Sequence, residues 1–184
     1  MNTILPFDEI NALEYTLPAY FQDGKIKPDL LDTLLDALED LFLLSYALGS
    51  DDANRQMNSE IRPTIDEVMD TVDAKVAGKT WRERVREYAE NGGTPDDIAR
   101  IIETESHRDS NEAALATARK AGATTKTWMT MLDPKVREAH EPLQSVSVPI
   151  DGTFVTWDGY ETQAPGMFGV PELDVNCRCW LIFS

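Results

Sequence analysis

An apolar stripe at helical spacing sets the character of the first two thirds of this chain. Leu30, Leu31, Leu34, Leu35, Leu38, Leu41, Phe42 and Ser45 recur with the period of an α-helix. Pro28 suits a first helical turn, and Asp29 and Asp32 complement the positive end of the helix dipole. Gly49 is the expected stop. The flanking acids Asp29, Asp32, Asp36, Glu39 and Asp40 read either as a solvated face or as a surface for a basic partner.

Further helices follow. Ser50–Glu60 is polar and reads as a connection with some helical content. A second helix starts near Pro63-Thr64, carries Ile65, Val68, Met69, Val72 and Val76 on one face, and ends at Gly78. A third runs from Trp81 to Ala89 and closes at Asn91-Gly92-Gly93, residues that tolerate positive φ. Thr94 caps a fourth, with Pro95 in its first turn, which runs through Ile98, Ile101 and Ile102 into the Ala-rich segment Asn111–Ala121. The character changes after Gly122. Thr124–Thr130 is β-branched and reads as a strand, and Asp133-Pro134 reads as the start of a short helix ending at His140. Val146–Ile150, Phe154–Trp157 and Trp180–Phe183 are short β-like runs. The fold class expected is α+β: a helical region over about residues 28–121, then a small β-containing C-terminal module. Residues 1–27 read as an extended or partly helical arm that docks on the neighbouring domain or on a partner subunit.

Composition narrows the function classes. The 184 residues carry a formal charge of −16. Residues 1–77 hold 16 acidic and 5 basic side chains, net −11, and residues 78–184 hold 17 and 12, net −5. So acidic a surface repels phosphate backbones, which argues against direct, sequence-specific nucleic-acid binding. No run approaches the roughly 20 apolar residues needed to span a bilayer, and no signal peptide is expected from the first residues. Two cysteines spaced C-x-C give no disulfide framework, so a reducing site of synthesis is expected.

The chemistry gathers in the last third. Both cysteines, Cys177 and Cys179, follow Asn176, and His140 lies upstream, eight-residue element Asp133–His140 included. Cys177, Cys179 and His140 would supply three soft or borderline ligands for zinc, with Asp133 or a water as the fourth. The alternative is a buried polar latch, in which His140 and Arg137 hydrogen-bond the Asn176–Cys179 backbone and the small cysteines pack inside. A nucleophilic Cys/His pair oriented by Asp133 is the third reading, although C-x-C is no protease signature. The latch comes first; no cofactor is expected, with zinc as the possible exception. Glu105 is expected to support the latch by pairing with Arg137 or Arg119, while His107 reads as part of a solvated helix face. Trp81, Trp128, Trp157 and Trp180 read as core or sheet residues.

Thr104-Glu105, Lys126-Thr127-Trp128, Asp133-x-x-x-Arg137-x-x-His140, Leu143, Pro165 and Asn176-Cys177-Arg178-Cys179 together resemble the phage head morphogenesis family, minor capsid proteins similar to the F protein of phage Mu. The resemblance covers roughly residues 80–184 and is strongest in the last sixty. It divides the chain into an arm (1–27), an acidic helical region (28–78) and the family domain (79–184). It implies a structural virion protein, made in the host cytoplasm and packaged in a few copies inside the head, where it would meet portal or major capsid subunits during head assembly or genome delivery. It also implies that Arg137 stands where some relatives carry a cysteine, which would leave a four-cysteine-type site incomplete. Larger relatives carry further domains, some of them toxin-like enzymes; no such extension is read here. The rival readings are a thiol- or metal-dependent hydrolase built on the Cys/His cluster, and an acidic phage protein that binds a basic host factor.

Overall fold

The computed structural model describes residues 5–184, so residues 1–4 of the expected arm lie outside the described part. The rest of that arm is a helix and a hairpin. α1 spans Phe7–Thr16, a 3₁₀ turn covers Leu17–Tyr20, and β1 (Phe21–Gln22) pairs with β2 (Lys25–Ile26). Asp23 and Gly24 both take positive φ, 51° and 73°, as a tight two-residue hairpin turn requires. Ile10, Leu17 and Ile26 carry this segment into the core.

α2 spans Leu31–Met57, well past the stop expected at Gly49. Gly49 has a different task. A Cβ there would fall deep inside the van der Waals envelope of the Ser110 backbone, so the glycine lets two helices touch backbone to backbone. The helix ends instead at Asn58, in the left-handed conformation with φ 48°. The polar segment after Gly49 is therefore mostly helix rather than connection.

Three capping boxes then start three helices. Thr64 with Glu67 opens α3 (Ile65–Val72), Thr80 with Glu83 opens α4 (Trp81–Asn91), and Thr94 with Asp97 opens α5 (Pro95–Lys120). In each the threonine hydroxyl accepts the N–H three residues on, and the acid reaches back to the threonine N–H. α3 stops earlier than its apolar period suggests, because Val76 and Lys79 close a tight turn over Ala77-Gly78. Ile65 is 80% exposed, not inward-facing. α5 runs unbroken through the Ala-rich segment.

α2 and α5 are the paired spine of the molecule. Their N-terminal halves line a first core, where Leu34, Leu38, Phe42, Trp81, Val85, Ile98 and Ile102 pack together. Phe42 meets Trp81 edge-on at 5.1 Å. Their C-terminal halves line a second core with the β module, through Ala53, Ala114, Leu115, Ala118, Trp128, Phe154 and the two cysteines. The two helices thus run in the same direction. Ser50 and Thr117 hydroxyls bond across them at 2.8 Å.

The β module is a three-stranded antiparallel sheet with β3 (Thr125–Met129) between β4 (Ser147–Pro149) and β7 (Trp180–Phe183). Its inner face carries Lys126, Trp128, Leu181 and Phe183. The free edge of β7 meets the end of α2: Gln56 Oε1 accepts from Phe183 N–H at 2.9 Å, and Gln56 Nε2 donates to Leu181 C=O at 3.4 Å. A small hairpin, β5 (Phe154–Val155) with β6 (Glu161–Thr162), and the one-turn α6 (Pro171–Asp174) complete the module. Trp81 and Trp128 are fully buried, Trp180 is half-buried, and Trp157 stands 71% exposed at the hairpin tip rather than in a strand. The short helix expected over Asp133–His140 is a pair of successive turns. Leu132 enters at positive φ, Asp133 Oδ1 accepts the Lys135 N–H, and Val136 and His140 bond back three residues only. Asp133 satisfies its neighbour's N–H locally, which competes with a helical ladder.

Candidate functional site

The two ends of the last third meet in space. His140 Nδ1 lies 3.8 Å from Cys177 Sγ and 3.7 Å from Cys179 Sγ, and all three residues are buried. Local chain geometry brings them there. α6 ends in a turn closed by the Cys177 N–H bond to the Asp174 carbonyl, and Asn176 takes φ 56°, a conformation asparagine tolerates. β7 begins directly after Cys179, so the pleat puts both sulfurs inward and Arg178 outward. The His140 ring is stacked on Phe168, with centroids 5.5 Å apart and planes at 16°, and stands edge-on to Trp128. Asp174 fixes the Phe168 loop by accepting the Phe168 and Gly169 N–H groups at 2.9 and 2.7 Å.

Asp133 is not in this cluster. Arg178 grips it with two bonds of 2.6 and 2.7 Å, and those bonds hold the carboxyl down at about 2. The bracket is therefore closed twice: inside by His140 against the cysteines, and outside by Arg178 on Asp133. Committed to Arg178, Asp133 is in no position to orient His140 as a catalytic acid would. Arg137 reaches across the same seam and donates to the Val175 carbonyl. Glu105 joins neither Arg137 nor Arg119. Its carboxylate pairs with Arg84 and Arg108 inside the helical layer, while Arg119 turns to Asp151 and Gln163. Asn176 contributes through its backbone conformation.

His107 is the residue that sequence reasoning misplaced. It is buried, not solvated, and its Nε2–H donates to the Cys179 carbonyl at 2.7 Å. Asn111 Nδ2 donates to the His107 carbonyl at 3.0 Å and reaches the Cys179 carbonyl at 3.4 Å. Burial, foremost, pulls the His107 ring down to about 4, so it is neutral near pH 7. Its neighbours form a buried charged knot: Arg108 bonds Asp109 at 2.8 Å and the Thr71 carbonyl at 2.9 Å. Burial pushes the Asp109 carboxyl well up, against the opposing pull of Arg108. A signal for this knot exists in the sequence. The stripe that buries Ile98 and Ile102 passes next through Glu105 and Asp109 before reaching Ala113, so polar groups had to face inward there.

The two thiols differ. The Cys177 S–H directed at Cys179 lowers the Cys179 thiol, helped by Trp128 and the Arg137 and Arg178 cations and opposed by desolvation. Cys177 is pushed well up by the same hydrogen bond and by burial. Beside His140 and Cys179 lies a recess of about 10 Å³ lined by Met131, Lys135, Arg137 and Asn176, room for about one water.

A family model described as Phage Mu protein F like protein matches residues 58–182. The match begins within the segment between α2 and α3, upstream of the boundary at residue 79 read from the motifs. Among curated proteins, the chain is 30% identical over 151 residues to NAD(+)--arginine ADP-ribosyltransferase EFV of Enterococcus faecalis (strain ATCC 700802 / V583), covering 64% of this chain and 31% of that protein. It is 32% identical over 83 residues to Minor head protein GP7 of Bacillus phage SPP1, covering 44% of this chain and 27% of that protein. The chain thus spans under a third of the length of either relative. No solved structure matches. With its Asp133–His140 and Asn176–Cys179 segments meeting inside the matched region, the chain belongs to the Phage Mu protein F like family.

Proposed function

We propose that this chain is a structural minor head protein of a phage, a virion component that docks on portal or major capsid subunits from inside the head during assembly or genome delivery. The family match over residues 58–182, together with the likeness to a relative named a minor head protein, carries this reading. The charge distribution supports it. Asp29, Asp32, Asp36 and Asp40 are exposed along the first turns of the spine, and Asp8 and Glu9 are exposed on α1. Between them runs a groove lined by Ala12, Leu13, Ala37, Leu41 and Leu44 and rimmed by Glu9 and Asp40. An apolar floor with an acidic rim suits a basic, amphipathic segment of a shell or portal subunit. Mass spectrometry of purified proheads and virions tests the reading, and absence of the chain from both overturns it. A chain found instead on one basic host factor would favour the host-binding alternative.

The transferase named among the relatives shares with this chain a stretch that is 31% of its own length. We read the common stretch as the head-protein module, because the family match takes up residues 58–182 of this chain. Release of nicotinamide from NAD⁺ by the purified chain would overturn that reading. The hydrolase alternative is disfavoured by the engagement of Asp133 with Arg178.

A further inference from the structure

We propose that His140 Nδ1, Cys177 Sγ and Cys179 Sγ are three ligands of a thiophilic divalent metal ion, zinc by class, with solvent at the fourth vertex. This inference is independent of where the chain sits in a particle.

The argument starts from the shape of the cluster. A tetrahedral zinc with sulfur at about 2.3 Å and nitrogen at about 2.0 Å needs ligand-to-ligand edges of about 3.6 Å for S···N and about 3.8 Å for S···S. The two S···N edges here are 3.7 and 3.8 Å, and all three donor atoms lie within 4.8 Å of one another. A plain hydrogen-bonded latch does not require this symmetry. Nδ1 has one lone pair and accepts one S–H, whereas two sulfurs at nearly equal distance from it are what a shared ion requires.

Chemistry points to the same class of ion. Two thiolates and an imidazole are soft and borderline donors, which select zinc-like ions over magnesium or calcium. Two thiolates balance a divalent charge, so a loaded site would be neutral, as a buried site demands. The fourth vertex falls to solvent. Asp133 is held by Arg178 and Arg137 by the Val175 carbonyl, while the recess beside His140 and Cys179 has room for about one water.

The surroundings hold the donors in place. His107 and Asn111 fix the Cys179 carbonyl, Asp174 fixes the Cys177 N–H, and Phe168 and Trp128 fix the plane of the imidazole. Outer-shell bonds of this kind support metal ligands, although His140 Nε2 itself has no hydrogen-bond partner among the described residues. His107 and Asn111 lie on α5, so the site would tie the helical spine to the sheet.

The full chain, purified under a non-thiol reductant without chelator, supplies the test. Elemental analysis after dialysis is expected to find about one zinc per chain, and cobalt substitution to give thiolate-to-metal charge transfer with intense tetrahedral d–d bands. Cys177→Ser and Cys179→Ser should each abolish those bands, while Asp133→Asn should leave them unchanged. Should the serine variants fail to fold, proton release decides: zinc added to metal-free wild type should liberate up to about two protons. A chain that retains no metal, gives only weak octahedral cobalt bands, or takes up zinc without releasing protons overturns the proposal. So does a spectrum that survives Cys179→Ser.

Discussion

The two cores share the α2–α5 spine yet are built on different principles. The first is an apolar cluster in which leucines, isoleucines, valines and the Phe42–Trp81 pair meet from all of α1–α5. The second mixes small alanines and aromatics with buried polar groups: Lys126, His140, the two cysteines and, at its border, His107 and Asp109. The first core can absorb changes of packing. The second fixes one arrangement of many partners, and it leaves the buried Lys126 ammonium without a hydrogen-bond partner among the described residues, 5.7 Å from the Phe154 ring centroid. Apolar burial supplies stability without a unique geometry, while buried polar groups supply geometry at a cost in stability.

The largest test removes a keystone of the first core. Trp81→Ala should cost about 4 kcal/mol, read as a shift in the urea midpoint. Because α2 and α5 line both cores, the transition should remain single. A biphasic curve, with the β module melting separately, would break the idea of a shared spine.

Lys126→Met should act in the opposite direction and stabilise the chain at pH 7 by about 2 kcal/mol, since it removes an unpaired buried charge. Burial lowers the lysine from 10.5 to about 8. Between those values the unfolded chain holds a proton that the folded chain has given up, so wild-type stability rises with pH across that window. The advantage of the methionine should therefore be full below pH 8 and shrink above it, which paired thermal melts at pH 7 and pH 10 would show. A constant advantage would mean that the ammonium reaches water.

The smallest test touches only the start of α5. Thr94→Ala removes the hydroxyl that accepts the Asp97 N–H and should cost about 1 kcal/mol, with hydrogen exchange accelerating in the first turn of α5 and not in the sheet.

The difference between the cores also explains what could be read from the sequence. Periodicity located the helices around Leu34–Phe42 and Ile98–Ile102, and Thr94 was legible as the cap of the fourth helix, while the boxes at Thr64 and Thr80 emerged only in the structure. The class, helical spine followed by a small β module, was legible for the same reason. Gly49 misled because a glycine that ends a helix and one that admits a neighbouring backbone look alike until the neighbour is known. The Asp133–His140 turns were hidden by a side chain that bonds its own backbone. At the site, the spacing of His140, Cys177 and Cys179 was visible, but the roles of Asp133, Glu105 and His107 depended on partners 45, 21 and 72 residues away. Long-range pairing of polar groups leaves little periodic trace.

The Gln56 contact also closes a sheet edge. A three-stranded sheet has two rims, each a template on which a foreign strand, or the same strand of another copy, could extend the ladder. The β7 rim is occupied by the Gln56 amide, which answers Phe183 N–H and Leu181 C=O as a one-residue stand-in for a strand. The β4 rim carries Pro149, which has no N–H to offer. With both rims blunted, extension of the sheet by a further strand is disfavoured, and contacts made by this module fall to side-chain surfaces such as the exposed Trp157–Tyr160 tip.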